Sequence, residues 1–153
     1  MQDRIINLFF SYKVMNKSYE IIDHTADISV RVSGRDFNEL LINSSLAMMD
    51  IICDLNTIEA KNKYAVKSDG NSEEQLLVNW LSELLYMHEV KRLLFSDFEI
   101  KVNENKEVEG ICKGEEIDFS RHDLLNDIKA VTYSGLNVEH NNGLLSATIT
   151  FDI

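Results

Sequence analysis

Within five residues, Asp23-His24-Thr25-Ala26-Asp27 gathers two carboxylates, an imidazole and a hydroxyl just ahead of an apolar–polar alternation. Carboxylate oxygens are hard donors suited to Ca2+, Mg2+ or Mn2+, and the imidazole would also admit a transition metal. The same residue types close a turn through Asx-type backbone hydrogen bonds, so spacing alone leaves both readings open. The other end of the chain supplies more oxygens. It finishes Phe151-Asp152-Ile153, and because consecutive Cα atoms lie about 3.8 Å apart, Asp152 stands beside the α-carboxylate. Brought together, Asp27, Asp152 and the Ile153 carboxylate would form an all-oxygen cation site with positions left for water or a phosphate. The alternative is an ordinary frayed terminus.

Other chemistry is sparse. The chain has no GxGxxG, Walker loop, GxSxG or HExxH, the patterns that place dinucleotides, phosphates, a serine nucleophile or zinc. His24, His88, His122 and His140 are dispersed, with His88 near the end of an expected helix. Cys53 and Cys112 have neither CxxC nor zinc-finger spacing and read as buried thiols of a reducing compartment. Asp and Glu number 26 against 15 Lys and Arg, a net charge of -11, which repels a phosphate backbone and argues against autonomous RNA or DNA binding. Such a surface suits cations, or docking onto a basic protein that itself handles nucleic acid. The apolar run from Ile5 to Phe10 is interrupted by Asn7. It is too short for a membrane span and lacks a small-residue cleavage site, so the cytoplasm is the expected location.

The elements that must position these groups follow from periodicity. Tyr19 to Ile22 is extended, and Ile28, Val30 and Val32 alternate with polar residues up to Gly34, a half-buried strand. From Asp36, a plausible N-cap, the apolar residues Phe37, Leu40, Leu41, Ala47, Met48, Ile51 and Ile52 predict a helix to about Cys53. Thr57 to Lys67 reads as a strand. Ser72 to Gln75 fits a capping box ahead of Leu76, Leu77, Trp80, Leu81, Leu84, Leu85 and Met87 at helical spacing. Strands are expected over Leu93 to Val102, Val108 to Lys113, Ile128 to Val138 and Leu144 to Ile153, with Gly135 as a bulge and Asn141-Asn142-Gly143 as a hairpin connection. With 153 residues, no proline and no linker, this is one domain of α+β class, two helices packed on a mixed or antiparallel sheet.

Tyr19-Glu20 leading into His24-Thr25-Ala26-Asp27-Ile28, the helix around Leu76 to Tyr86, Leu94-Phe95-Ser96-Asp97-Phe98, Ile128-Lys129-Ala130-Val131-Thr132-Tyr133 and the closing Phe151-Asp152-Ile153 together resemble the archease family. The resemblance covers residues 15–153 in the family's order, and leaves residues 1–14 as an N-terminal extension, with Met15 an alternative start. It implies an archease-like domain that is not an enzyme. Its role would be that of an accessory protein to the RtcB-type RNA ligase of tRNA splicing and RNA repair, promoting guanylylation of the ligase and repeated turnover. RNA would be met only through the ligase. The resemblance further implies that Asp27, Asp152 and Ile153, the last through its backbone carboxylate, hold a divalent metal of the Ca2+ or Mg2+/Mn2+ class. Lys129 matches the lysine of the family's KAVTY block and is a candidate contact to the ligase or a phosphate, unless it is a solvated strand lysine. His24 is expected to hold its turn by hydrogen bonds, and Glu139 is either a functional acid or a surface glutamate.

Two other classes compete. A chaperone-like module for RNA-modifying enzymes would need no metal. A free-standing metal-dependent hydrolase would use the same carboxylates to activate water, but no general acid or base partner stands out for it.

Overall fold

The structure, a computed structural model, describes residues 19–23 and 27–153. His24 and the stretch before Met15 lie outside the described residues. In chain order the elements are β1 (Tyr19–Asp23), β2 (Asp27–Gly34), α1 (Phe37–Ile52), a 3-10 turn (Leu55–Thr57), β3 (Asn62–Asp69), α2 (Glu73–Lys91), β4 (Leu93–Val102), β5 (Glu107–Glu116), β6 (Ala130–Thr132), β7 (Glu139–Asn141) and β8 (Leu144–Asp152). The class is α+β with two helices, as expected. The strands divide into two antiparallel sheets, one ordered β1-β2-β8-β6 with β7 also on β8, the other β3-β5-β4.

The division follows from α1. Leu40, Leu41, Ser44, Ala47, Met48, Met49, Ile51 and Ile52 leave it buried around most of its circumference, and a helix apolar all round must be covered on opposite sides. It packs on β2 of the first sheet and β4 of the second. Its hydroxyls are accounted for: Ser44 and Ser45 donate to the carbonyls of Leu40 and Leu41, and Ser45 Oγ accepts from Trp80 Nε1 at 2.9 Å.

Both helices start on the devices their sequences carry. Asp36 accepts from the Glu39 N–H at 2.8 Å, and Ser72 from Gln75 N–H at 3.1 Å. The reciprocal arm of the box is displaced by one residue: Gln75 Oε1 takes the N–H of Asn71 rather than that of Ser72. Helix α2 ends at Arg92 in the left-handed conformation (φ 60°), with His88 Nδ1 3.0 Å from Leu93 O.

In the first sheet Ile28, Val30 and Val32 of β2 and Leu145, Ala147, Ile149 and Phe151 of β8 face the core. Asp27, Ser29, Arg31 and Ser33 share the opposite face with Ser146, Thr148, Thr150 and Asp152. Phe151 is fully buried, worth about 1.5–3 kcal/mol, so the chain is tied down two residues from its end instead of fraying.

Two stretches depart from expectation. The strand predicted over Thr57 to Lys67 starts only at Asn62, because Leu55–Thr57 closes a 3-10 turn. Ile128 to Val138 is not one strand: after β6 the chain turns, with Leu136 N–H donating to Tyr133 O and Gly135 at φ 66°. Gly135 therefore serves a turn, where a left-handed residue is needed, and not a bulge. The bulge that does form lies in β4, between Phe95 and Asp97. Cys53 and Cys112 are buried free thiols, and burial pushes the Cys112 thiol up to about 12.

Candidate functional site

The register of the first sheet sets Asp27 of β2 directly opposite Asp152 of β8, one rung beyond the buried Ile28–Phe151 pair. Residues opposite one another in an antiparallel pair hold their Cβ atoms about 4.5–5.5 Å apart on one face. The two carboxylates that are 125 positions apart in sequence thus become neighbours. On its other side Asp152 meets Ala130 of β6, and its carbonyl accepts the Lys129 N–H at 2.7 Å. Two rungs inward, on the same face, Ser29 Oγ and Thr150 Oγ1 lie 3.0 Å apart and Thr132 Oγ1 donates to Thr150 O. These bonds hold β2, β8 and β6 in step immediately behind the aspartates.

Asp27 Oδ1 is sealed from solvent and has no hydrogen-bond partner among the described residues. A buried carboxylate oxygen left bare is costly, and like charges directly opposite one another destabilise a strand pair. A hard cation relieves both at once. Ile153, half-buried against the core, keeps the α-carboxylate next to Asp152. Among the described residues no three side chains of His, Cys, Asp or Glu form a metal-holding group; this strand end brings together two carboxylate side chains, Asp27 and Asp152. The groups this strand end offers are oxygens, the Asp27 and Asp152 carboxylates with the Ile153 carboxylate beside them, donors of the kind a hard ion takes.

The other residues singled out by sequence divide. Lys129 is at the site, its backbone holding Asp152 and its side chain exposed. His24 lies outside the described residues. Glu139 is not brought to the aspartates: it pairs with Ser146 on β7, six residues before Asp152 and so about 20 Å away along the strand. It lines instead a separate concavity of about 210 Å³ with Arg31, Asn137 and Thr148.

One cluster carries no signal in the sequence. Glu115, Arg121 and His122 converge where β5 leaves the second sheet. Glu115 and His122 are buried, and Glu115 accepts from Glu59 N–H at 2.7 Å, from both terminal nitrogens of Arg121 and from His122 Nε2 at 3.0 Å. Burial pushes the Glu115 carboxyl up, but Arg121, the Glu59 N–H and His122 outweigh it and hold the group below the usual carboxylate range. Glu115 lies near the end of β5 while Arg121 and His122 lie in the irregular connection that follows it, so no strand or helix periodicity links the three and only the folded turn reveals the cluster.

Fold and site together define a class: a small acidic α+β protein with an oxygen-lined strand end in place of a phosphate loop. A model of the Archease protein family matches residues 19–153. Protein archease of Methanopyrus kandleri is 36% identical over 138 residues, which cover 88% of this chain and 99% of that one. The solution structure of Methanobacterium thermoautotrophicum protein 1598 superposes with a TM-score of 0.78 at 31% identity, covering 88% of this chain and 98% of the other. The crystal structure of an archease, possible chaperone, from Thermotoga maritima gives 0.62 at 22% identity, covering 86% and 94%, a likeness of fold. The chain belongs to the archease family.

Proposed function

We propose that this chain is the accessory protein of an RtcB-type RNA ligase, promoting its guanylylation and multiple turnover through the Asp27–Asp152 end of the first sheet. Membership of the archease family supports an accessory or chaperone-like role. The observation that carries the finer reading is the buried Asp27 Oδ1, without a hydrogen-bond partner among the described residues, on a residue paired opposite Asp152.

Asp27, Asp152 and the Ile153 carboxylate would hold a divalent ion of the Ca2+ or Mg2+/Mn2+ class. Bound there, the ion would supply charge neutralisation for a nucleotide's phosphates. The chain's own residues do the positioning. The buried Ile28–Phe151 rung fixes the two aspartates at one height, the Lys129 N–H fixes the Asp152 carbonyl, and the half-buried Ile153 aims the chain end. A net charge of -11 draws the protein toward a basic ligase surface.

The test mixes the protein with its cognate RNA ligase, GTP, divalent metal and excess cleaved RNA, and counts ligations per ligase. About one turnover should become many, and the gain should vanish in Asp27→Ala and Asp152→Ala while both variants stay folded. A chain extended by one residue beyond Ile153 should also fail, because its α-carboxylate has moved. No gain with a ligase competent for one round would sink the activator reading and favour a chaperone-like role. Full activity of the extended chain would remove Ile153 from the site.

A further inference from the structure

Behind the candidate site, residues 117–129 run from β5 to β6 and end on Lys129, whose N–H holds Asp152. The near end of this connection is built on His122, whose side chain is fully buried. Its Nδ1 lies 2.9 Å from the backbone N–H of Asp118. A backbone N–H only donates, so Nδ1 accepts and the ring proton sits on Nε2. Nε2 in turn faces two acceptors, Glu115 Oε2 at 3.0 Å and Thr57 O at 3.1 Å. The ring therefore joins β5, the 3-10 turn after α1 and the connection itself. Arg121, from the same turn, closes on the same Glu115 carboxylate.

From there to the site the chain has no slack. Leu124 bridges Cys53, Leu125 N–H donates to Ile52 O and Asn126 Nδ2 to Ile51 O. These contacts satisfy carbonyls that the end of α1 leaves without helical partners. Ile128 is buried, and Lys129 follows on Asp152. An amide side chain could not replace the ring, because Gln and Asn carry donor and acceptor on one end and cannot bond on opposite sides at once.

We propose that His122 is a positioning residue for the Asp27–Asp152 site: as the neutral Nε2–H tautomer it locks residues 117–129 so that the Lys129 N–H holds Asp152 opposite Asp27. The cation-binding part of this proposal rests on the reading of that site given above, and the hold on Asp152 does not.

The full chain and its His122→Gln variant are compared by amide exchange at Lys129, with Phe98, Ile100 and Cys112 of the β4–β5 pair as internal references, and by binding of terbium(III) alone. Selective acceleration at Lys129 by about tenfold or more, with the references unchanged, is expected, and terbium affinity should fall about tenfold. An unchanged Lys129 amide overturns the proposal, as does uniform acceleration across the chain, which would make His122 a stability residue only. Lys129 loosening with terbium affinity unchanged overturns the coupling to the site. If the unsubstituted chain binds no terbium while Lys129 still loosens selectively, the cation reading fails and the hold on Asp152 stands. Should His122→Gln not fold, nitrogen-15 spectra of the imidazole in the unsubstituted chain at pH 7 decide: the Nε2–H tautomer is expected, and a proton on Nδ1 overturns the proposal.

Discussion

At the scale of single residues, the opposition of Asp27 and Asp152 works against folding when no cation is bound. Asp27→Asn removes one of two facing charges and should raise the stability of the metal-free chain by about 0.2–1 kcal/mol. On the proposed reading Ca2+ should raise the Tm of the unsubstituted chain, and the same substitution should abolish that rise. Thermal unfolding in EDTA and in calcium chloride checks both signs, and equal calcium effects on the two proteins would remove Asp27 from the donor set. Glu115 makes the opposite case, a buried charge whose partners are all in place. Glu115→Gln should cost about 2–3 kcal/mol at neutral pH. Because the folded carboxyl is held below its unfolded range, its contribution is fully present above the ordinary Glu value of about 4.3 and is lost as pH falls through the lower folded value. Unfolding curves of the variant and the unsubstituted chain should therefore converge in acid.

At the scale of elements, the bulge in β4 depends on one residue of its neighbour. A Cβ on Gly114 would fall 1.8 Å from Leu94 O, a backbone atom that cannot swing aside. Gly114→Ala should cost well above the roughly 1 kcal/mol of an average substitution, read as a large drop in Tm or loss of soluble protein. Where periodicity was strong the elements were legible: β2, α1, α2 and β4 lie where alternation, helical spacing and caps put them. It was weak over Ile128 to Val138, whose apolar residues serve three ends. Ile128 is buried in the core, Val131 pairs with Phe151, and Val138 is buried where its N–H meets Glu74 at the start of α2. An average over that window reads as one strand because each third is extended or apolar for its own reason.

At the scale of the whole molecule, the acidic charge and the site belong to one argument. A net charge of -11 speeds encounter with a basic partner and is screened by salt, with a Debye length of about 8 Å at physiological ionic strength. The association rate with the proposed ligase partner should fall severalfold between 50 mM and 500 mM NaCl, with a smaller change in dissociation rate. Stopped-flow mixing at several salt concentrations measures this, and a flat salt profile would detach the charge from partner binding.

The chain by itself determined its α+β class, its helices, the strand ends that carry Asp27 and Asp152, and the oxygen chemistry those residues offer, because alternation, caps and donor type are local properties. Tertiary structure alone decided that α1 is wrapped between two sheets, that Asp27 faces Asp152, that Glu139 stands about 20 Å from them and that His122 is buried against Glu115. Those are matters of register and loop closure, set by which buried rungs pair across the chain, and no local pattern encodes them.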